Sequence, residues 1–237
     1  MSQTLIKICG ITRPDDAALA AELGADFIGL NFVAGPRMIN LARAREILAV
    51  LPAQGVRGVT PVALVRAEHL PGEEFRTPLL WDFLGAHLFA GQRDIRTFQV
   101  YEPYPLDRFT AAPGAFAWWL VRAVESRDEV MSLPRILRNF AACMPEKIVL
   151  DAQSGNRLGG TGKSFDWNWL AEARSGGDWA VPKIVLAGGL KPENVGAAVR
   201  LARPYAVDVS SGVESNTPGI KDPSKLRDFV QAVRGGA

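Results

Sequence analysis

Apolar residues in this chain fall into short runs, several of them apolar nearly throughout. Runs of this kind, rich in Val, Ile and Leu, indicate strands that are buried on both faces, as in a parallel sheet. Eight such runs occur, at 4–9, 26–32, 59–65, 96–101, 115–121, 147–152, 183–188 and 206–211. The pattern therefore predicts eight strands.

Segments with helical periodicity separate these runs. The clearest predicted helices cover 41–51, 130–144, 165–173, 192–202 and 223–233. An earlier helix is predicted through 17–23, where Thr12 and Asp15 resemble an N-terminal cap and Gly24 ends the helix. The third and fourth connections have weaker patterns because prolines interrupt them. Strict alternation of strand and helix predicts right-handed crossovers and a parallel sheet.

Eight such units fill the 237 residues and leave no segment over for a second domain. This favours closure into a single (β/α)8 barrel domain over 1–237. An open, doubly wound α/β sheet is the alternative architecture that the same pattern allows.

Composition and charge narrow the class of protein further. The chain has 27 basic and 25 acidic side chains, so its net charge of +2 gives no reason to expect nucleic acid or a membrane surface as partner. No run reaches the length of a membrane span, and the N-terminus does not resemble a signal peptide. Two cysteines suit a reducing compartment. We therefore expect a cytoplasmic protein.

Reactive groups of a barrel gather where the strands end at their carboxyl side. At these positions the sequence places Cys9, Asn31, Arg37, Gln99, Tyr101, Arg122 and Asp151. The set contains a candidate base, a candidate acid and two cations. A lone cysteine is commonly a small buried hydrophobe, and a carboxylate after a strand can simply cap a loop. The residues alone leave both readings open for Cys9 and Asp151.

The turns after the seventh and eighth predicted strands suit an anion. Gly188 and Gly189 precede a helix, and Ser210, Ser211 and Gly212 follow the last strand. Glycine lets the backbone approach a ligand closely, and free N–H groups at a helix start attract negative charge. One such turn could be purely structural, but two in consecutive units predict a phosphorylated ligand.

The remaining candidate motifs do not predict a nucleotide-binding site or a metal site. The stretch 155–164 resembles a nucleotide-binding P-loop, but Arg157 stands where that pattern needs glycine, so a mobile flap is the better interpretation. Cys143 is predicted to pack within a helix. His69 and His87 lack metal-ligand spacing. We expect neither a metal nor a cofactor.

Several motifs together resemble the phosphoribosylanthranilate isomerase family. They are KICGIT at 7–12, GADFIGLNF at 24–32 with Pro36 and Arg37 after it, LDAQSGNRLGGTGKSFDW at 150–167, LAGGLKPENV at 186–195, and DVSSGVES followed by PGIKD at 208–222. The resemblance extends over nearly the whole chain and is densest in its first 50 and last 90 residues. It implies a (β/α)8 barrel and a function in tryptophan biosynthesis.

The resemblance also implies roles for individual residues. Cys9 would be the general base and Asp151 the general acid of an Amadori rearrangement, in which an aminoaldose becomes an aminoketose. Arg37 would bind the anthranilate carboxylate. The glycines and serines after the last two strands would hold the ribose phosphate. Such an enzyme is an aldose–ketose isomerase, an intramolecular oxidoreductase that needs no cofactor.

The centre of the chain departs from the family pattern. Relatives usually carry Gln-Leu-His-Gly at the end of the fourth strand, whereas this chain has Gln99, Val100, Tyr101 and Glu102. The segment 68–96 is also longer and more aromatic. We expect Gln99, Tyr101 and Arg122 to bind substrate, with Tyr101 replacing the family histidine.

Two other functions are alternatives to this isomerase activity. A related isomerase of histidine biosynthesis uses an aspartate at the end of the first strand, where this chain has Cys9. A divergent paralogue could bind a phosphosugar with altered substrate or no activity. The expected partner is a small phosphosugar–anthranilate substrate, and the expected assembly is a monomer or a homodimer.

Overall fold

The fold is a closed barrel of eight parallel strands in the order β1 to β8, with β8 pairing back onto β1. The computed structural model describes residues 3–51, 58–66, 95–101, 117–141, 144–152, 164–176 and 179–236. The strands are β1 (Leu5–Ile8), β2 (Phe27–Asn31), β3 (Thr60–Arg66), β4 (Thr97–Tyr101), β5 (Ala117–Val124), β6 (Lys147–Ala152), β7 (Lys183–Leu186) and β8 (Ala206–Val209). The predicted barrel is confirmed, and the open sheet is wrong.

Helices cover the outside of the barrel. In the described ranges they are α1 (Pro14–Glu22), α2 (Leu41–Val50), α3 (Arg127–Leu137), α4 (Asn168–Ser175), α5 (Pro192–Ala202) and α6 (Pro223–Gly236). Helix α3 begins three residues before its predicted start because Ser126 and Glu129 form a capping box. It ends at Leu137, and Cys143 lies outside the described residues.

The predicted cap of α1 is wrong. The residue that precedes this helix is Arg13, which makes no side-chain capping bond, and Pro14 opens the first turn. The hydroxyl of Thr12 instead donates to the carbonyl oxygen of Gly219 at 2.5 Å. Thr12 thus ties the loop after β1 to the loop after β8.

Alternation along the strands divides the buried residues into two layers. One face packs against the helices, and the other forms a smaller cluster inside the barrel. The inner cluster consists of Phe27, Val62, Trp119, Val121, Val149, Val185, Ala187 and Ala206. At the next inward positions, towards the strand ends, polar side chains replace these apolar ones, and that is where the barrel opens.

The opposite end of the barrel is closed by a lysine within an aromatic cluster. The ammonium of Lys147 lies 4.8 Å from the ring centre of Trp119, 5.4 Å from that of Tyr205 and 5.7 Å from that of Phe27. Such cation–π contacts stabilise the charge in surroundings that exclude water. This end of the barrel is therefore a packed floor.

Arg122 does not occupy the position that was predicted for it. The sequence places the fifth strand at 115–121, but β5 runs to Val124, so Arg122 lies within the strand. Alternation puts Arg122 on the same face as Leu120 and Val124, which belong to the outer core. Its side chain therefore does not line the barrel mouth.

Within the described ranges, none of the helices has both the length and the apolar character that crossing a membrane requires.

Candidate active site

A cavity that is open to solvent lies at the carboxyl ends of the strands. Seven of the eight strands contribute residues to it directly or through the loop that follows. The lining comprises Cys9, Gly10, Asn31, Arg37, Leu64, Gln99, Tyr101, Asp151, Ala187, Gly188, Gly189, Leu190, Asp208, Val209, Ser210 and Ser211. Ten of the twelve candidate residues named from the sequence therefore meet in one cavity, and Arg122 and Gly212 are not among its lining.

Cys9 lies directly after β1 and is 8% exposed. Its backbone N–H donates to the carbonyl oxygen of Val209 at 2.8 Å, which continues the pairing with β8. A Cβ on Gly29 of β2 would lie 2.6 Å from the sulfur of Cys9. Glycine at position 29 therefore makes room for the sulfur on the barrel's inner face.

A buried ion pair lies below Cys9. Lys7 is two residues earlier on the same face of β1, and Asp208 is its register partner on β8. The ammonium of Lys7 donates to Oδ2 of Asp208 at 2.7 Å, and the lysine side chain is 0% exposed. Burial lowers the pKa of Lys7, but the charges of Asp208 and Cys9 raise it more, so the lysine stays cationic.

Asp151, near the end of β6, has a strongly altered proton affinity. Burial, with a smaller contribution from the charge of Asp208, raises its pKa to about 7, although Lys7 opposes the change. A carboxyl group with a pKa near neutrality can hold a proton and release it at physiological pH. This is the proton affinity that a general acid needs.

Neighbouring cations only partly offset the effect of burial on the thiol of Cys9. Burial, followed by the charge of Asp208, raises the pKa of the Cys9 thiol above its ordinary value. Lys7 and Lys221 lower it, but not enough to reverse the effect of burial. The free protein therefore holds Cys9 mainly as a thiol at neutral pH.

Tyr101 offers a hydroxyl to the cavity from the end of β4. Its oxygen accepts a hydrogen bond from Nε2 of Gln99 at 3.2 Å, so its own proton can be donated to a ligand. Burial, with added effects from the charges of Cys9 and Asp151, raises the pKa of Tyr101 well above its usual value. The phenol therefore stays protonated and can act as a hydrogen-bond donor.

Arg37 lies across the mouth and is held by a carboxylate. Its Nε and Nη2 donate to Oε1 and Oε2 of Glu214, each at 2.7 Å. The buried ammonium of Lys221 lies 3.1 Å from the same Glu214 Oε1. A Cβ on Gly10 would lie 2.5 Å from Cδ of Arg37, so glycine gives the arginine its path. Arg37, Glu214 and Lys221 together carry one net positive charge.

The loops after β7 and β8 have an anion-binding form. Gly188 and Gly189 have φ of +83° and +62°, in the region that favours glycine. A Cβ on Gly212 would lie 1.9 Å from the carbonyl oxygen of Leu190, so Gly212 packs the two loops together. Within the described ranges, the backbone N–H groups of Gly189, Leu190 and Ser211 have no hydrogen-bond acceptor.

Further polar atoms around the cavity also lack partners. Among the described residues, Oε1 of Gln99, Oδ1 of Asp151, Oδ1 of Asp208 and Oγ of Ser210 are buried without a hydrogen bond. Buried polar atoms are nearly always paired in folded proteins, so these atoms are available to water or to a ligand that enters the cavity. Three of them are carboxylate or amide oxygens, which accept hydrogen bonds from hydroxyl groups.

Sequence reasoning did not single out Asp208, Glu214 or Lys221. Asp208 interrupts an apolar strand two residues before Ser210, so the two side chains lie on the same face. This spacing could have indicated that Asp208 faces the cavity. Glu214 and Lys221 lie within the motif at 208–222, but that match indicated no role for either of them, because their pairing depends on the shape of the loop after β8. No group of three or more His, Cys, Asp or Glu in the described ranges can hold a metal ion, and His69 and His87 lie outside those ranges.

Comparison with known proteins identifies the family. A family model described as N-(5'-phosphoribosyl)anthranilate (PRA) isomerase matches residues 120–232. The chain is 39% identical to the N-(5'-phosphoribosyl)anthranilate isomerase of Pseudomonas fluorescens strain SBW25, with 100% of this chain and 99% of that relative aligned. The chain belongs to the phosphoribosylanthranilate isomerase family. It is an isomerase of the intramolecular oxidoreductase class, and its function lies in tryptophan biosynthesis.

Other members of the isomerase family agree with this placement. The relative from Chlorobaculum tepidum is 40% identical, with 98% of this chain and 95% of that relative aligned. The phosphoribosylanthranilate isomerase of Thermotoga maritima superposes with a TM-score of 0.77 at 28% identity, with 98% and 100% of the two chains covered. A structure of the enzyme in complex with reduced 1-(o-carboxyphenylamino)-1-deoxyribulose 5-phosphate superposes with a TM-score of 0.74 at 27% identity, with the same coverage.

Proposed function

We propose that this chain converts N-(5'-phosphoribosyl)anthranilate to 1-(o-carboxyphenylamino)-1-deoxyribulose 5-phosphate, with Cys9 as general base and Asp151 as general acid. The observation that carries the proposal is that both side chains line one cavity, where Asp151 has a pKa of about 7. Shared family membership with isomerases of this substrate supports it.

The catalytic pair transfers two protons in this rearrangement, and the reaction needs no redox partner. Asp151 donates its proton to the ribose ring oxygen, the C1′–O bond breaks, and a protonated Schiff base forms between C1′ and the anthranilate nitrogen. The thiolate of Cys9 removes the proton from C2′, which gives an enolamine. Tautomerisation of the enolamine yields the ketone at C2′ and leaves an amine at C1′. Ring opening requires Asp151 in its protonated form, and removal of the C2′ proton requires Cys9 in its deprotonated form.

Each end of the substrate would have its own binding groups. The phosphate would accept hydrogen bonds from the unpaired N–H groups of Gly189 and Ser211. The anthranilate carboxylate would approach Arg37, where the arginine and Lys221 outweigh Glu214 by one positive charge. Tyr101 would donate its hydroxyl proton beside the ring. Arg122 has no part in this assignment, because it lies on the outer face of β5.

The two catalytic groups begin in the opposite protonation states from those the reaction uses. Above pH 7 the free enzyme holds mainly a carboxylate at Asp151 and a thiol at Cys9, and moving one proton between them gives the reactive form. We expect kcat/KM to rise with pH up to about 7 and to fall again above the thiol's pKa. Between these limits one proton is shared by the pair.

Steady-state turnover of phosphoribosylanthranilate tests the assignment, with loss of substrate fluorescence as the readout. We expect Cys9→Ala and Asp151→Asn each to lower kcat by about 10²–10⁴-fold, with KM changed much less. Matched controls are Cys143→Ala, the other cysteine, and Asp228→Asn, an exposed carboxylate on α6. Near wild-type kcat in Cys9→Ala would remove that residue from the mechanism.

A wild-type chain that binds inorganic phosphate but shows no turnover would instead support the divergent paralogue. Turnover that the Asp151→Asn substitution leaves intact would keep the activity and refute only the assignment of the acid. The expected monomer or homodimer is a separate prediction, which sedimentation analysis would check.

A further inference from the structure

The mechanism above leaves two buried charges without a role. Lys7 and Asp208 lie inside the barrel, and their carboxylate–ammonium distance is 2.7 Å. A buried ion pair costs desolvation energy, and an apolar pair of similar volume is often as stable or more so. Most neighbouring inward positions of this barrel are filled by apolar residues. Packing alone therefore gives no reason for charges here.

The position of the pair relative to Cys9 is specific. Lys7 lies one inward step below Cys9 on β1, and Asp208 is paired to Lys7 across the seam that closes the barrel. Asp208 also lines the cavity, and its Oδ1 has no partner among the described residues. Lys7 is thus fully buried beneath the sulfur, whereas Asp208 reaches the cavity.

Other charged or titratable groups face Cys9 from neighbouring elements. Arg37 reaches it from the loop after β2, Tyr101 from β4, Asp151 from β6, and Lys221 from the loop after β8. Arg37 and Lys221 are both bound to Glu214, which offsets part of their charge. Tyr101 is neutral in its protonated form. Lys7 differs from Arg37 and Lys221 in its position, because it lies on the same strand face as Cys9, two residues earlier, inside the barrel.

We propose that Lys7 and Asp208 are positioning residues that act through Cys9: the ammonium supplies the counter-charge for the thiolate, and Asp208 holds the ammonium beneath the sulfur. Catalysis needs a thiolate in a site where burial opposes that charge. A cation fixed inside the barrel offsets part of this cost without exposing the sulfur to water. This inference rests on the proposed role of Cys9 as base.

The two members of the pair have opposite effects on the proton affinity of the thiol. Asp208 raises the pKa of Cys9 through its negative charge, whereas the nearby positive charge of Lys7 lowers it. The two charges act on Asp151 in the same directions: Asp208 raises its pKa, and Lys7 lowers it. Removing one charge or the other should therefore move both catalytic groups together, in a direction that depends on which charge is removed.

Titration of the Cys9 thiol tests this inference without turnover. In a Cys143→Ser background, thiolate absorbance in the ultraviolet gives the titration midpoint directly. We expect Lys7→Met to raise the midpoint and Asp208→Asn to lower it, each by about one pH unit or more, which is a tenfold change in the thiolate fraction. Lys7→Arg, which keeps the charge, should stay closer to wild type than Lys7→Met.

A purely structural pair predicts a different result. Loss of packing would lower the melting temperature of both variants and would either leave the thiol midpoint unchanged or move it in the same direction in both. Either result overturns the proposal. If Lys7→Met does not fold, Asp208→Asn still carries a signed prediction, and an unchanged or raised midpoint in that variant refutes it.

The pH dependence of kcat/KM separates this inference from the proposed function. If the thiol midpoints move in opposite directions and both limbs of the profile follow them, both are supported. If the midpoints move but the profile does not, the ion pair controls the thiol as inferred, and the role of Cys9 as base is wrong. Unmoved midpoints refute the inference whatever the profile shows.

Discussion

Asp151→Asn should make the protein more stable while it abolishes most of the activity. The carboxyl group has a pKa of about 7 in the folded protein and 3.8 in its reference state, so its ionised form is disfavoured by folding. Between these two values the folded protein binds more protons than the unfolded chain. The free energy of unfolding therefore falls as pH rises from about 4 to about 7, and it stays reduced above that range. Asparagine has a similar shape and no charge, so it should recover this loss.

The size of the effect follows from the difference in pKa. About three pH units at about 1.4 kcal/mol each amount to about 4 kcal/mol above pH 7. At about pH 5.5 only roughly half of this penalty is present, about 2 kcal/mol. Since Asp151 lies at a partly open mouth, solvent screening should reduce both figures, but the increase with pH should remain.

Chemical denaturation at about pH 5.5 and about pH 8.5 measures this difference directly. Asp228→Asn on α6 is the control, and its unfolding free energy should differ from wild type by no more than about 0.5 kcal/mol at either pH. An Asp151→Asn variant that is less stable than wild type at the higher pH would refute the reasoning. So would a stability difference that is the same at both pH values.

Three further outcomes follow from individual contacts. Tyr101→Phe should cost about 0.5–1.5 kcal/mol of substrate affinity, seen mainly in KM, and a large fall in kcat would make the tyrosine catalytic. Gly188→Ala should abolish competition by inorganic phosphate, because its Cβ would lie 2.2 Å from the backbone nitrogen of Ala152. Gly24→Ala is its control, with similar φ of +86° but no atom within 4 Å, and it should keep the competition. Lys147→Met should lower the melting temperature through loss of the aromatic contacts and of the ion pair with Glu146, while kcat/KM stays within about twofold of wild type.

Most of the barrel could be predicted from local pattern. Each strand is a short apolar run, and each described helix has a repeating apolar face, so both are visible within about ten residues of sequence. The boundaries were less predictable at β5 and α3. There the strand continues past Arg122, and a capping box at Ser126 starts the helix earlier than its apolar residues suggest.

The candidate active-site cavity was predictable where it depends on strand ends. Cys9, Gln99, Tyr101 and Asp151 follow or end buried runs, and parallel strands bring all their carboxyl ends to one mouth. Arg122 was misplaced because a shift of one residue along a strand moves a side chain to the other face. The inner face of the barrel wall leads to the cavity, whereas its outer face packs against the helices. A small error in the predicted strand end therefore changed the role that was predicted for Arg122.

Local sequence indicates that eight strands alternate with helices and which residues end those strands, because these properties depend on near neighbours in the chain. Which charges meet depends instead on the folded barrel. Lys7 and Asp208 are 201 positions apart, and they pair because the barrel closes β8 onto β1. Arg37 and Glu214 are 177 positions apart, and their contact depends on the path of two loops over Gly10. The proton affinities of Cys9 and Asp151 follow from such contacts and from burial, which local sequence does not specify.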